Sequence, residues 1–160
     1  MKSNKLQNRH LRNIFGKFAT GVSIVSFYGK TGSPNGITVN SFASVSLDPP
    51  IVLWCLDNNS DLFNEISLKE KYIFNFLSSD QENLASKLSE KENHNFKSID
   101  YTDNNYGPVI KKSLGYICCS KKEAINVGDH IIIFGFVEDF QIFENNNKPL
   151  IFWSGNYQSY

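Results

Sequence analysis

The chain has 160 residues, 41% hydrophobic and 20% charged, a make-up that suits one domain (1–160) able to bury a core unaided and that excludes disorder. Sixteen Lys and Arg offset sixteen Asp and Glu, which excludes a generic nucleic-acid binder, whose affinity needs concentrated positive charge. No apolar run reaches the roughly 20 residues that span a bilayer, and no signal-like apolar core follows MKSNKLQNRH, so a soluble cytoplasmic protein without a membrane partner is expected.

Residues 6–18 carry Leu11, Ile14, Phe15 and Phe18 three and four apart, the spacing of an amphipathic helix. After Gly21, residues 22–28 alternate as a first strand, and 29–34 (GKTGSP) form a turn. The stretch 35–50, NGITVNSFASVSLDPP, is the most unusual. It starts as a strand with Ile37 and Val39 on one face and Thr38 and Asn40 on the other. It then adds Ser41, Ser44 and Ser46 before Asp48 and two prolines, which end regular pairing. Neutral hydrogen-bonding groups are dense there, and Asp48 is the stretch's one charged residue.

Residues 51–56 (IVLWCL) are continuously apolar and read as a strand buried on both faces. A polar turn, 57–60, caps a short helix at 61–68; 72–77 form a strand; Ser79 and Glu82 match a capping box for a helix at 81–89. Residues 91–113 are polar and aperiodic, and are expected as a long excursion ordered in part against a partner. Strands follow at 114–120, 124–127, 131–137, 140–143 and 150–153, with turns at Gly128-Asp129 and Asn145–Asn147. Short turns join most strands, which favours an antiparallel sheet or barrel over a doubly wound parallel sheet.

Charged catalytic constellations are missing. There is no Rossmann or P-loop glycine pattern and no nucleophile elbow, and His10, His94 and His130 lack metal-site spacing. Cys55, Cys118 and Cys119 imply neither a disulfide framework nor a zinc site, so reduced thiols and no metal are expected. Asp48 and Asp129 read as turn aspartates. His130 opens an apolar strand and is expected at the mouth of whatever the barrel encloses, where a histidine can hydrogen-bond a ligand. The polar stretch is the better clue: a planar, hydrogen-bonding ring with a phosphate tail suits fixed neutral donors and acceptors.

These residues resemble a known family. GITVNSFASVSLDPP is similar to the hallmark segment of the flavin reductases that supply reduced flavin to two-component monooxygenases. FGKFATGVSIVS, IVLWCL, YIFNFLSSDQENLASKLSE, GDHIIIFGFVE and LIFWSGNY fall in that family's order, so the resemblance spans nearly the whole chain. It implies a mainly β fold with flanking helices, an antiparallel split β-barrel of the FMN-binding type. It implies a homodimer with FMN, or FAD, near the subunit interface. It also implies an NAD(P)H:flavin oxidoreductase that takes NADH or NADPH as co-substrate, with a monooxygenase component as partner.

By position, the resemblance assigns Thr38, Val39, Asn40, Ser41, Ser44, Val45 and Ser46 to the flavin ring and ribityl chain. Leu56, Asp57 and Ser60 would sit near its polar tail, His130 on the nicotinamide side as the catalytic residue, and Ser154, Gly155 and Tyr157 beside the pyridine nucleotide. One departure stands out. The family often places a basic residue before the phenylalanine of the loop after the second helix, whereas Asn95 precedes Phe96, so charged phosphate contacts are not expected from that loop. In the implied chemistry hydride passes to flavin and the protein positions the rings, so no acid or base of extreme pKa is required. The alternatives are a flavin-binding electron carrier on the same barrel without efficient NAD(P)H oxidation, and the same fold holding a pyridoxal-type phosphate or haem.

Overall fold

The computed structural model describes residues 5–144 and 146–158. In chain order the elements are α1 (Lys5–Phe15), β1 (Thr20–Gly21), β2 (Ser23–Tyr28), β3 (Pro34–Val39), β4 (Ala43–Leu47), β5 (Pro50–Asp57), α2 (Phe63–Ile66) and β6 (Lys71–Phe76). A 3-10 turn at Ser79–Gln81 leads into α3 (Glu82–Ser89), followed by β7 (Tyr101–Thr102), β8 (Val109–Ile110), β9 (Gly115–Val127), β10 (His130–Ile142), β11 (Ile151–Trp153) and β12 (Asn156–Gln158). Seven strands form one sheet in the order β3-β2-β6-β9-β10-β5-β4, and the pairs are antiparallel. β1, β11 and β12 make a second small sheet. The protein is mainly β with flanking helices, as expected.

The sheet cannot be flat. β3 and β4 stand at its two ends, yet only Asn40, Ser41 and Phe42 separate them in the chain. Four Cα steps reach about 14 Å, whereas six inter-strand spacings in a flat sheet would need about 29 Å. The edges are therefore curled toward each other, giving a barrel that is split where β3 and β4 fail to pair. Ring contacts agree: Trp54 on β5 lies 6.2 Å from Phe74 on β6, three places away in the sheet, and Phe42 lies 5.0 Å from Phe74.

Alternation sorts the side chains of this curled sheet. Val25, Phe27, Val52, Trp54, Leu56, Phe74, Cys119 and Ile133 point inward and form the barrel core. Ile24, on the outer face of β2, packs in a second layer with Ala85 and Leu88 of α3, Phe96, Ile110 and Leu150. β2 is thus buried on both faces. β5 is not: Ile51, Leu53 and Cys55 remain half-buried, correcting the expectation for that apolar run.

Residues 91–113 are ordered against the barrel itself. Asn75, fully buried, donates to Ser26 Oγ at 2.8 Å and accepts from the Ile110 N–H at 2.8 Å, while Ser26 donates to the Pro108 carbonyl at 2.6 Å. Gln81 Nε2 donates to the Lys111 carbonyl at 2.9 Å, and His94 pairs with Asp61 at 2.9 Å. Three buried polar side chains, Ser26, Asn75 and Gln81, thereby replace the hydrophobic periodicity that the excursion lacks. Other expectations shift modestly. The capping box uses Ser78 and Gln81 rather than Ser79 and Glu82; α2 is four residues; and the four expected strands from 114 to 143 are two long ones, β9 and β10, of 13 residues each. Part of the turn expected at Asn145–Asn147 lies outside the described residues.

Candidate functional site at the barrel seam

The polar stretch occupies the seam. A chain crossing between unpaired sheet edges leaves its backbone groups without ladder partners, so side-chain hydroxyls and amides are what can hold it. Two of the predicted residues do this. Thr38 Oγ1 donates to the Ala85 carbonyl of α3 at 2.8 Å. Ser41 Oγ donates to the Cys55 carbonyl and accepts from the Cys55 N–H, each at 3.0 Å. Their polarity is used within the fold, which the alternation pattern did not foresee.

Asn40 is exposed and lines two adjoining cavities. The larger, about 470 Å³, is also lined by Phe18, Thr20, Ser23, Phe42 and Phe76. The hydroxyls of Thr20 and Ser23 are buried and lack a hydrogen-bond partner among the described residues. A buried hydroxyl without a partner costs free energy, so a ligand's polar edge has two groups to satisfy here. Sequence reasoning missed Thr20 and Ser23 as site residues; the signal was the small-residue run between α1 and β2. The smaller cavity joins Thr38, Val39 and Asn40 to Tyr157, so β12 brings Tyr157 to the polar strand. Burial raises the Tyr157 phenol above its ordinary range, and its hydrogen bond with Ser89 works against that rise.

Ser44, Val45 and Ser46 lie on the edge strand β4, where Ser44 and Val45 are exposed. Ser44 and Ser46 line a different cavity of about 550 Å³ with Leu47, Ile117, Phe140 and Ile142. Leu47 is 93% exposed and Ile142 79%, an apolar face uncovered in a single copy.

A third group gathers at the far end of β5 and β10. His130 pairs across the strands with Asp57, and the Asn58 N–H donates to the Asp129 carbonyl at 3.0 Å. Gly128, at φ 63, makes the two-residue turn, since primed turns need positive φ. Asp129 Oδ1 and His130 Nδ1 are 2.7 Å apart, and that hydrogen bond holds the Asp129 carboxyl below the usual carboxylate range, with a smaller contribution from the Arg12 charge. His130 is half-exposed. Asp57 Oδ1 accepts from the Asn59 N–H at 2.8 Å and Ser60 Oγ from the Leu62 N–H at 3.3 Å, so both shape the turn. Leu56 points into the barrel core and is 2% exposed.

Ser154 and Gly155 form the β11–β12 turn, at φ 50 and 82, and lie against α1. The Ser154 N–H donates to the Gly16 carbonyl at 2.8 Å. Lys17 Nζ donates to Ser154 Oγ at 3.2 Å and stands 5.2 Å from the Trp153 ring. The predicted residues thus occupy a seam cavity, an edge strand, a hairpin end and a turn, rather than one pocket within a single copy of the chain.

Comparison with known proteins places these features in context. A family profile described as flavin reductase like domain matches residues 15–160. The chain is 38% identical over 149 residues to the FMN reductase (NADH) SmoA of Agrobacterium fabrum, covering 92% of this chain and 83% of that protein. It also spans 46% of the length of a Rhizobium meliloti relative that is 34% identical. Among solved structures, a nitrilotriacetate monooxygenase component B homolog from Mycobacterium thermoresistibile superposes with TM-score 0.92 at 31% identity, covering 99% of this chain and 89% of that one. The Streptomyces globisporus NADH:FAD oxidoreductase SgcE6, in complex with NAD and FAD fragments, superposes with TM-score 0.89 at 26% identity, covering 100% of this chain and 96% of that one.

Proposed function

The chain belongs to the flavin reductase like family, and from that premise we propose that it is an NAD(P)H:flavin oxidoreductase that passes hydride from a reduced nicotinamide to FMN or FAD. The observation that carries this reading is the seam cavity, where Asn40 and the unpartnered hydroxyls of Thr20 and Ser23 meet Phe18, Phe42 and Phe76. Apolar rings beside a few convergent neutral hydrogen-bonding groups suit a flat heterocycle with a polar edge, and the donor set fits a flavin. The bound flavin supplies the redox chemistry.

The chain's own residues bind and orient. Asn40, with Thr20 and Ser23, holds the ring edge; Thr38 and Ser41 keep the seam backbone in register through α3 and β5. The Asp129–His130 pair sits at the turn of the β9–β10 hairpin, where the imidazole, oriented by the carboxylate, would meet the nicotinamide. No side chain is required to move a proton during hydride transfer. Val45, Ser44 and Ser46 complete the site from the edge strand, and Asp57 and Ser60 shape the turn beside the flavin's polar tail, while Leu56 supports that end of β5 from the core.

The working form is a homodimer. What supports it is the apolar surface left bare: Leu47, Phe140 and Ile142 around the 550 Å³ cavity, and Leu11, Ile14 and Phe15 on α1 with Phe18 just beyond its end. Patches of this kind mark association surfaces, and a second copy would bring the edge-strand serines to a shared site. The reduced flavin passes to a monooxygenase component in the cytoplasm, where NAD(P)H is available and the three free thiols stay reduced.

Steady-state oxidation of NADH and NADPH in the presence of FMN, FAD or riboflavin tests the reading. NADH or NADPH loss that requires added flavin is the expected result. Absence of oxidation with all three flavins would overturn it.

A further inference from the structure

Two adjacent interior strands of the large sheet present an apolar face that their own chain leaves half-covered. β5 and β10 send Val52, Trp54, Leu56, Ile131 and Ile133 into the barrel core, so alternation turns Ile51, Leu53 and Cys55, with Ile132, Phe134 and Phe136, outward. All six stay half-buried, and none joins the barrel core or the clusters packed around it. They stand in three cross-strand pairs, Ile51 with Phe136, Leu53 with Phe134 and Cys55 with Ile132. On β9, Ile125 lies opposite Ile132 and is 43% exposed, which widens the face by one strand. The helix α3 packs on β2 and β3, at the other end of the strand order.

The runs 51–56 and 131–136 contain no polar residue, the composition of strands buried on both faces. One copy of the chain buries only the inner face of each. The charged residues that share the outward side, Asp57 at the end of β5 and Glu123 opposite Phe134 on β9, stand at its rim. A charged partner would find nothing to pair with at the centre. Obligate homodimer interfaces are the apolar ones, resembling a core cut in half, whereas transient interfaces are about as polar as the rest of the surface. The array measures about 13 Å along the strands and about 10 Å across them, less than the ~800 Å² that a standard interface takes from each partner. Ile51 also lines the 550 Å³ groove with Leu47, Phe140 and Ile142, so face and groove are one continuous apolar surface.

We propose that the outward face of β5 and β10, centred on the Leu53–Phe134 pair, is the contact between two copies of this chain, packed sheet against sheet about a two-fold axis. A two-fold contact uses the same patch on both copies, which suits a face that is apolar throughout its centre. The proposal rests on the homodimer reading above and gives that dimer its centre, with the groove at its margin. Cys55, half-buried in one copy, becomes buried in two.

The test is sedimentation velocity of the full chain, of Phe134→Lys and of Leu53→Gln, with circular dichroism and melting temperature recorded for each. It is paired with maleimide labelling of Cys55, read by peptide mass spectrometry. Cys118 and Cys119 are fully buried, so the label reports on Cys55. Expected are a dimer for the parent, a folded monomer for Phe134→Lys and a weakened dimer for Leu53→Gln. Cys55 in the dimeric parent is expected to label at least about tenfold more slowly than in Phe134→Lys, because a thiol must be accessible to react. A parent that is monomeric at every concentration would overturn both this proposal and the homodimer reading. A dimeric parent whose folded Phe134→Lys variant is also dimeric, or whose Cys55 labels as fast as the variant's, would overturn this proposal alone and leave the dimer to the groove. Should Phe134→Lys not fold, the parent's Cys55 labelling across a dilution series decides: labelling that quickens as the dimer dissociates supports the face, and labelling indifferent to concentration overturns it. If the parent dimerises through this face yet oxidises no NAD(P)H with any flavin, the oxidoreductase reading falls and the interface stands.

Discussion

Thr38 Oγ1 donates to the backbone carbonyl of Ala85 at 2.8 Å, so the middle of the polar strand is fastened to α3. Replacing Thr38 by Val keeps the shape and deletes this bond, and the expected cost is about 1 kcal/mol of stability by urea denaturation. Asn40→Ala removes a side chain that lines the seam cavity without such a partner. It is expected to weaken FMN about tenfold, an ordinary loss for one hydrogen-bonding group, and to change stability less than Thr38→Val. Fluorescence titration with FMN reads the first, and equal stability losses would contradict the division of roles.

The Asn75–Ser26 pair governs whether residues 104–113 stay on the barrel. Asn75→Ala leaves the buried Ile110 N–H and Ser26 hydroxyl short of their partners. A loss of about 2–4 kcal/mol is expected. Hydrogen exchange should show faster exchange at Ile110 and its neighbours before the barrel strands are affected.

Gly36 has no room for a side chain. A Cβ there would lie 2.8 Å from Ile24 Cγ2 and 2.9 Å from Phe96 Cε1. Gly36→Ala is expected to cost about 1–3 kcal/mol by overpacking. Phe96→Leu in the same background should recover part of that loss, because the smaller side chain frees space where the methyl enters.

The uncovered apolar face gives a prediction about assembly. Leu47→Asp combined with Phe140→Asp puts charge where a second copy would pack, and sedimentation velocity is expected to show a dimer for the parent chain and a monomer for the variant. Both sites are exposed in the single chain, so its melting temperature in the monomeric state should change little. A variant that sediments as the parent does would remove this face from the interface.

The Asp61–His94 contact sets an acid limit on the loop after α3. Burial pushes the Asp61 carboxyl upward, but the Glu92 N–H and His94 outweigh it, and the net shift is below the ordinary 3.8. Because the folded value is depressed, the stabilisation is complete above the ordinary value and is lost as pH falls through the folded one. The stability difference between the parent and Asp61→Asn, measured by denaturation, should shrink as the carboxyl protonates below about pH 4.

Much of the architecture was readable from short-range pattern. Runs such as VSIVSFY, IVLWCL and IIIFGFV declare strands because their apolar groups must be buried and β-branched and aromatic side chains suit a pleated surface. Gly128-Asp129 declares a turn through the positive φ at Gly128. The 91–113 excursion resisted reading, since what orders it is Asn75, Ser26 and Gln81 elsewhere in the chain, and long-range polar pairing leaves no periodic trace. Lys17 looked like part of the solvated side of an amphipathic helix; only the approach of the Ser154–Gly155 turn gives it a partner in Ser154 Oγ.

The sequence by itself determined that residues 35–47 begin as a strand and carry neutral polarity without charge up to Asp48, because alternation acts over a few residues. Tertiary structure alone decided what that polarity does. β3 and β4 became the two ends of a seven-stranded sheet, and the short link between them forced the sheet to curl. The physical reason is chain length against strand spacing: Thr38 and Ser41 fasten the seam, and Asn40 is left to face the cavity.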